Sequence, residues 1–498
     1  MVLMNFFGKS PGHPLVSARE AKRVFAELAT RDPQSAIEEA AVWLESLNSA
    51  DGLKLSVHVE RLLQLDEAMA AQARRCTREF LARSGGNRLQ ERQLWQLNYD
   101  YWTHLAAAYA ECLGQARVPG KESDSLQALS ALLAVRALHA HAGVLRWQQL
   151  RHAPVEAGFW SAIGAIYLTA VAAGQATREV VAHPGLAPST IEAEYLKMLL
   201  FQAASMDKLP PLQIGLTESL IVHFLPNFSL TDEVRPESVY WIDAAKPLPP
   251  TRLAKLPEAA ASLRFFSGGK ARLAVEQLII RIRADHRVPA DINLAGQYEA
   301  DTVIRALQHL AVCWAPKPPL RGHARHRLQS RLVVGHGLIQ ALEHLSQRAT
   351  GIAELEFWTV DDVSIGGVGA LAELGHKDWI RVGSLLFFQP EQGGNWLLGV
   401  VRRFARRNSK QGAVGIETLS KNPRAVSADA GGLPTEAILL DLPEVGEYAR
   451  MVLAPGTLPE KAALLFPLDG MRARLHPREV LEESADYIIA SFFVQSFS

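Results

Sequence analysis

Two short segments of the chain combine residue types that bind anions and the edges of nucleobases. The first is Arg327-Leu-Gln-Ser-Arg331, in which two arginines stand four residues apart directly before an apolar run, Leu332 to Leu338. A planar guanidinium can donate two parallel hydrogen bonds to adjacent acceptors on a phosphate or a base edge. Each charge-assisted bond contributes about 1.5 to 3 kcal/mol, so two or three of them give useful affinity for a small ligand.

The second segment is Asp362-Val-Ser-Ile-Gly-Gly367, which lies where a predicted strand turns. Asp362 can accept hydrogen bonds from N–H groups, and Ser364 can donate or accept them. Gly367 either permits a positive φ or lets a ligand approach the backbone. Together the three residues would form an edge that reads a base.

Neither segment is specific by itself. The first belongs to a basic stretch without acidic residues, and such stretches are most often solvated linkers or weak polyanion patches. The basic residues of this stretch are Lys317, Arg321, Arg325, Arg327 and Arg331. Asp, Ser and Gly are ordinary turn residues. The order of the segments and the strands around them are what favour a binding site.

Short apolar runs, rich in β-branched and aromatic residues, follow the second segment and are separated by Gly, Asn and charged turns. This pattern is typical of a small antiparallel barrel. The predicted strands of the barrel cover residues 379–388, 396–404 and 413–419. Further strands are predicted over 437–442, 449–453 and 463–468, and the segment 477–493 fits either a closing strand or a packed helix.

The two segments, followed by strands that contain Gly399-Val-Val-Arg402 and Val414-Gly-Ile-Glu417, resemble the PilZ domain, a family of cyclic di-GMP-binding proteins. The resemblance covers the C-terminal part of the chain only. It implies a bacterial receptor in which a small barrel binds cyclic di-GMP and no other cofactor is needed. The segment Ile339 to Gln347 departs from the family pattern, because it has the periodicity of a helix where the barrel would continue as strand.

The resemblance also implies roles for individual residues. Arg327 and Arg331 would lie on a lead-in that folds over the ligand, and the two arginines would bind guanine and phosphate. The other guanine would meet Asp362, Ser364 and the turn at Gly367. Further candidates for contact with the ligand are Arg325, Arg402 and Arg403. Arg321 and Arg325 also stand four apart, and the later pair is preferred because Arg331 leads directly into a strand.

The N-terminal part of the chain has helical periodicity from Ser17 to about Trp314. Ser17-Ala-Arg-Glu20 is a capping box, and Asp32-Pro33 offers an N-cap followed by proline at the first helical position. Helices are predicted to begin at these two sites and to cover 53–84, 89–113, 124–149, 158–175, 191–206, 212–224, 272–284 and 300–314. Prolines and the run Val239-Tyr-Trp-Ile242 interrupt this pattern and indicate a connection with a short strand.

We therefore expect an α+β multidomain protein. An all-helical domain covers residues 1–315, with a subdivision near 228–253, and it ends at the proline-rich segment Cys313 to Pro319. A basic lead-in of residues 316–331 connects it to a PilZ-like barrel of residues 332–425. Residues 426–498 form either a β-rich extension of that barrel or a second small β unit.

Composition limits the classes of function. The 52 basic and 52 acidic residues balance, so the whole chain has no net attraction to nucleic acid or to a membrane surface. The three cysteines are far apart, which indicates reduced thiols in the cytoplasm and no zinc site. No signal-peptide pattern opens the chain, and its most apolar window, 161–174, is too short for a membrane span. No motif of a known catalytic site occurs, so we expect a binding protein without a metal, not an enzyme.

Three classes of function fit these observations. The first is a cyclic di-GMP receptor whose helical domain relays the signal to a protein partner. The second is a single-stranded nucleic-acid binder that uses the same arginines, with Trp358, Trp379 and Trp396 as stacking partners. The third is a protein-interaction scaffold that has kept the barrel without the ligand. The balanced charge weighs against the second class, and the intact arginine and Asp-Ser-Gly sets weigh against the third.

Overall fold

The structure, a computed structural model, describes residues 13–497 except 51–52, 84–87, 118–125, 295, 318–323, 347–354, 376–378, 392, 430–433, 459–462 and 469–470. The chain divides into two compact units. The first contains the residues up to 319, apart from 152–154 and 207–210, and the second contains these two short segments and residues 320–498. The division falls within the lead-in, residues 316–331, that the sequence predicts.

The first unit is built mainly of helices. They are α1 (Ala18–Thr30), α2 (Pro33–Asn48), α3 (Leu55–Arg83), α4 (Arg88–Gln115), α5 (Ser130–Leu150), α6 (Phe159–Ala172), α7 (Ile191–Ala203), α8 (Pro211–Phe224), α9 (Gly269–Asp285) and α10 (Ala300–Cys313). The two predicted caps are confirmed. The Ser17 hydroxyl accepts a hydrogen bond from the Glu20 N–H at 3.4 Å, and the Asp32 carboxylate accepts one from the Ser35 N–H at 3.0 Å.

One apolar segment of this unit, Gln127–Leu150, is long and apolar enough to cross a membrane by length and composition alone. Of the apolar 18-residue window within this segment, 67% is buried inside the protein, where α5 packs along α4. A helix that is apolar on all sides is typical of a core position in a large unit as well as of a membrane span. The window 161–174, predicted as a core helix, corresponds to α6, whose Trp160, Ile163 and Tyr167 are buried.

The prediction of an all-helical domain up to residue 315 is wrong in one respect. A four-stranded sheet interrupts the helices, with strands β1 (Leu230–Thr231), β2 (Tyr240–Asp243), β3 (Thr251–Arg252) and β4 (Leu263–Phe266) in the order β1-β4-β2-β3. The short strand predicted at Val239 to Ile242 is β2. Its Tyr240 hydroxyl donates to the Cys313 carbonyl at 2.7 Å, which ties the sheet to the end of α10.

The second unit begins with a closed antiparallel barrel. Its elements are β5 (His326–Arg327), β6 (Arg331–His336), α11 (Leu338–Leu345), β7 (Glu356–Ser364), β8 (Gly367–Glu373), β9 (Leu385–Pro390), β10 (Leu397–Arg406) and β11 (Gln411–Ser420). The ring runs β6-β7-β8-β11-β10-β9 and closes through pairing of β9 with β6, and β5 adds to β7 outside the ring. The helix predicted at Ile339 to Gln347 is α11.

One predicted strand of this barrel starts too early. Residues 379–384 were assigned to a strand, but β9 begins only at Leu385. Gly383 has a φ of +89°, and Ser384 accepts a hydrogen bond from the Arg381 N–H, so the chain turns there before it enters the sheet. Trp379 and Ile380 are nevertheless buried in the barrel core, which explains their apolar character.

The remaining chain forms a second barrel. Its strands are β12 (Arg424–Asp429), β13 (Pro434–Leu439), β14 (Tyr448–Leu453), β15 (Leu464–Leu468), β16 (Met471–Glu483) and β17 (Ile488–Phe497), closed in the order β12-β13-β14-β17-β16-β15. Of the two arrangements left open by the sequence, the structure has the separate β unit. The segment 477–493 is neither a single strand nor a helix, because β16 and β17 pair as a long hairpin.

The two barrels have separate interiors and share a third apolar cluster between them. The first interior includes Trp358, Phe388 and Phe404, and the second includes Met451, Leu475 and Phe492. The shared cluster combines residues of α11 and β9–β10 with residues of the second barrel, namely Leu338, Ala341, Leu385, Phe387, Leu398, Val400, Ile438, Leu440, Val452, Tyr487 and Ile489. Because these side chains are buried by both barrels, the barrels support each other.

Candidate functional site

The arginine pair lies on an interrupted strand that follows one side of β7. Arg327 of β5 is the direct partner of Asp362, and Arg331 opens β6 opposite Thr359. These two positions on β7 are three residues apart, or about 10 Å at the usual rise of a strand. Both arginines are exposed, and no ion pair or side-chain hydrogen bond engages either guanidinium within the described part of the chain.

Asp362 is positioned by a β-bulge. The register between β7 and β8 shifts between Val360 and Asp362, so Asp361 is the extra residue, and Asp362 faces Gly369. A Cβ atom at Gly369 would lie 2.9 Å from Asp362 Oδ1, so the glycine leaves room for the carboxylate. Arg325 Nη1 donates to both carboxylate oxygens, at 3.1 and 3.0 Å. Arg325, a further candidate from the sequence, is therefore at the site.

Ser364 and Gly367 form the turn between β7 and β8. The Ser364 hydroxyl donates to the Gly367 carbonyl at 3.2 Å. Gly367 does not have the positive φ that the sequence offered as one reason for a glycine. A Cβ atom there would instead lie 2.2 Å from the Ile416 carbonyl oxygen, so glycine is required because β11 passes close to the turn. That Gly367 also lets a ligand approach the backbone stays a prediction.

Five residues that are paired across neighbouring strands form a row on the outer face of the barrel, and Asp362 is one of them. The row runs from Arg327 through Asp362, Gly369 and Gly415 to Arg403, each residue directly opposite the next. Directly opposite residues of antiparallel strands project to the same face. Gly369 and Gly415 therefore leave a surface without side chains that is two strands wide, and Asp362 and Arg403 on either side of it are three strand spacings, or about 14 Å, apart. We call this surface the glycine shelf.

The two arginines predicted on β10 have different environments. Arg402 is not available to a ligand: its guanidinium donates to both Glu482 oxygens of β16, at 2.8 and 2.6 Å, and its Nε donates to Glu417 at 2.6 Å. These carboxylates raise the Arg402 pKa above its usual range, against the effect of burial. Arg403 lies at the far end of the glycine shelf, is mostly exposed and pairs with Asp207.

The tryptophans proposed as stacking partners for nucleic acid are mainly core residues. Trp358 is 1% exposed and Trp379 is 9% exposed, and their rings stack on each other inside the barrel at a centroid distance of 5.8 Å. Trp396 packs against His344 and Phe387. The predicted stacking role is wrong for the two buried rings, because an incoming base cannot reach them.

The sequence did not reveal two features of this site. One is the glycine shelf. The sequence shows only that Gly367 and Gly369 are two residues apart, a spacing that places both on one face of β8. The other is the bulge residue Asp361, whose carboxylate lies 3.7 Å from Arg407. Of the earlier pair, Arg321 lies outside the described residues.

The site thus joins two exposed guanidinium groups, a carboxylate with a surface ion pair, a hydroxyl and a flat strip of backbone on the outside of a small antiparallel barrel. Such a set of groups is chemically suited to a compact anionic ligand with polar, planar groups.

Comparison with known proteins adds a resemblance in the other unit. Residues 19–236 match the family model described as the N-terminal domain of the cyclic-di-GMP receptor FimW. The match covers less than half of the chain and lies on the helical unit, not on the barrel that resembles the PilZ domain. No curated protein matches the chain.

Proposed function

We propose that this chain is a cyclic di-GMP receptor whose ligand binds to the outer face of the first, PilZ-like barrel. The observation that carries the proposal is the placement of Arg327 and Arg331, both without an ion-pair partner among the described residues, on the strand beside Asp362. Exposed arginines so close to an acceptor for base N–H groups match a ligand that carries phosphates and guanines.

The arginines supply the contacts to acceptors. A guanine displays O6 and N7 next to each other, and a guanidinium meets both with parallel N–H groups. Each of the two phosphates of a cyclic dinucleotide can likewise accept two parallel N–H bonds from one guanidinium. Arg331 at the start of β6 therefore binds guanine or phosphate, and Arg327 closes over the ligand from β5, the preceding part of the same interrupted strand.

The other side of the site supplies acceptors and a surface. Asp362 accepts from guanine N1–H and N2–H, and Ser364 makes a further hydrogen bond at the turn. The glycine shelf beside Asp362 lets a flat base lie against the backbone, because a side chain at either glycine would keep the base away from it. Adenine lacks the O6 acceptor and the N1 and N2 donors, so cyclic di-AMP loses contacts on both sides.

The match of the helical unit to a cyclic-di-GMP receptor supports the same function from outside the barrel. We propose further that the helical unit passes the signal to a protein partner, and that the chain acts in the cytoplasm as a non-enzymatic receptor without a metal or a second cofactor.

The test is calorimetric titration of the full chain with cyclic di-GMP, cyclic di-AMP, single-stranded DNA and single-stranded RNA. We expect cyclic di-GMP to bind and the other three to bind at least tenfold more weakly. Arg331→Ala should weaken cyclic di-GMP binding by about 1.5 to 3 kcal/mol, because it removes a charge-assisted contact. The matched control is Arg424→Ala, an exposed arginine at the first residue of a strand in the second barrel.

Each result decides between the three classes of function. Equal binding of both dinucleotides would indicate a site for polyanions, and preference for DNA or RNA would indicate a nucleic-acid binder. Absence of binding to all four ligands would leave the protein-interaction scaffold. An unchanged affinity in Arg331→Ala would place the ligand away from the arginine pair.

A further inference from the structure

The two barrels of the second unit have the same topology. If the six strands of each ring are numbered along the chain, both rings close in the order 1-2-3-6-5-4, with every neighbouring pair antiparallel. In the first barrel these strands are β6 to β11, and in the second they are β12 to β17. One difference is α11, which lies between strands 1 and 2 of the first barrel, whereas in the second barrel only four residues, 430–433, separate β12 from β13.

The same residue spacing occurs in both barrels where the chain passes from strand 2 to strand 3. Asp362, Ser364 and Gly367 are separated by two and three residues, and Asp441, Pro443 and Gly446 repeat that spacing between β13 and β14. The hydroxyl is replaced by a proline, which has no side-chain donor. Gly446 has a φ of +90°, so it serves a different turn from that of Gly367.

Before strand 1, the second barrel has one arginine where the first barrel has two. Arg424 opens β12 as Arg331 opens β6. Four residues earlier, where the first barrel has Arg327, the second has Ser420, which is buried at the end of β11. Its hydroxyl donates to the Leu440 carbonyl at 2.7 Å. The second barrel therefore cannot close a pair of guanidinium groups over a ligand.

The carboxylate of the second barrel is already bound within the barrel. Arg450 of β14 donates from Nε to Asp441 Oδ2 and from Nη2 to Oδ1, both at 2.8 Å, and its backbone N–H adds a third bond at 3.1 Å. These hydrogen bonds lower the pKa of Asp441, although partial burial acts against them. Asp362, by contrast, is held through a single nitrogen of Arg325, which comes from the lead-in, and it faces a glycine across the hairpin.

We infer that the chain carries two copies of one barrel, and that the second copy is closed to the dinucleotide by its own Arg450 while the first binds it. This inference rests on the proposed function, because it assigns the ligand to one barrel of the two. The second copy has a structural role: it covers the shared apolar cluster, and its Glu482 holds Arg402 on strand 5 of the first barrel.

The experiment measures saturable cyclic di-GMP binding to the full chain by equilibrium dialysis, in the unmodified protein and in Arg331→Ala, Asp441→Ala and Arg424→Ala. We expect Arg331→Ala to lose at least tenfold in affinity with no second class of site remaining. Asp441→Ala and Arg424→Ala should leave both affinity and ligand per chain within twofold of the unmodified protein. Circular dichroism of each variant shows whether it has folded.

Two results would overturn the inference while leaving the proposed receptor function intact. One is a class of site that survives Arg331→Ala and disappears when Asp441→Ala is added to it. The other is a tenfold loss of affinity in Arg424→Ala, which would place ligand on the second barrel. If the unmodified protein does not bind cyclic di-GMP, the proposed function and this inference both fail.

Discussion

Among the described residues the Asp362 carboxylate has one side-chain partner, and the proposed ligand competes for the same carboxylate. Arg325 contacts both of its oxygens, and this arginine is half exposed. Ion pairs between exposed side chains contribute about 0 to 1 kcal/mol. In the proposed complex the guanine N–H groups take the place of Arg325 Nη1 on the two carboxylate oxygens, so the ion pair lowers the affinity by at most about fivefold.

Arg325→Gln should therefore raise the affinity for cyclic di-GMP, by about twofold to fivefold, because it removes the cation that competes for Asp362. The effect should shrink as salt is added, since salt weakens the exposed ion pair in the unmodified protein. Titration calorimetry at two salt concentrations measures both effects. Arg327→Gln is the matched control and should lower the affinity. A lower affinity in Arg325→Gln would mean that Arg325 contacts the ligand instead of competing with it.

The glycine shelf predicts a loss of binding without a loss of fold. Gly369→Val places a side chain on the half-buried shelf, where its Cβ would lie 2.9 Å from Asp362 Oδ1 and displace the end of that flexible side chain. β-branched residues fit strands well, so the free energy of unfolding should change by less than about 1 kcal/mol. The affinity for cyclic di-GMP should fall at least tenfold. Denaturant unfolding and calorimetry of the same samples separate the two effects.

Gly367→Ala is the contrasting change, only two residues away. Its new Cβ would meet the Ile416 backbone carbonyl at 2.2 Å, and a strand backbone cannot move aside as a side chain can. We expect a loss of about 1 to 3 kcal/mol in stability, the range for overpacking. Gly394→Ala, in an open turn with nothing within 4 Å, should be neutral. Equal stability of Gly369→Val, Gly367→Ala and Gly394→Ala would show that β11 does not constrain the turn.

At the scale of elements, the end of the lead-in is paired to the barrel. His326 and Arg327 form β5 and pair with β7, although the basic composition of the lead-in predicts a mobile segment. Arg325 and Arg327 are nevertheless exposed, and a ladder of two residues opens easily. A ligand that binds Arg327 would hold this strand on β7.

Trypsin should therefore cut after Arg325 and Arg327 in the free protein, and saturating cyclic di-GMP should slow both cuts several-fold. Mass spectrometry of the fragments over time identifies the sites and rates. Cleavage after Arg305, an exposed residue of α10, serves as the internal control and should keep its rate. If binding is confirmed by calorimetry and the cuts at Arg325 and Arg327 keep their rates, the lead-in does not close over the ligand.

Local patterns were enough to predict most elements but not their partners. The capping residues Ser17 and Asp32 gave the starts of α1 and α2, because a cap acts within four residues of itself. Arg402 was a further candidate for contact with the ligand, but its partner Glu482 is 80 positions away and no local pattern points to it. The glycine shelf escaped prediction for the same reason, as Gly369 and Gly415 become neighbours only when β8 and β11 pair.

For the molecule as a whole, the shared apolar cluster predicts which parts fold alone. A fragment of residues 316–498 retains both barrels and the cluster between them, so it should unfold in a single cooperative transition. Residues 1–315 should give a circular dichroism spectrum dominated by helix.

Separating the barrels is the control for this prediction. A fragment of residues 421–498 would expose Ile438, Val452, Tyr487 and Ile489 to water, so it should be much less stable than the pair or should aggregate. Thermal unfolding followed by circular dichroism measures all three fragments. If the second barrel alone were as stable as the pair, the shared cluster would contribute nothing to stability.

The position of α11 also affects how the protein is made. Leu338 and Ala341 of this helix are buried together with Tyr487 and Ile489, which the ribosome adds about 150 residues later. At about 5 to 20 residues per second, the apolar face of α11 waits roughly 8 to 30 s for its cover. During that interval the first barrel can close its ring while an apolar part of its surface stays exposed, so we expect the nascent chain to bind a ribosome-associated chaperone until β17 emerges.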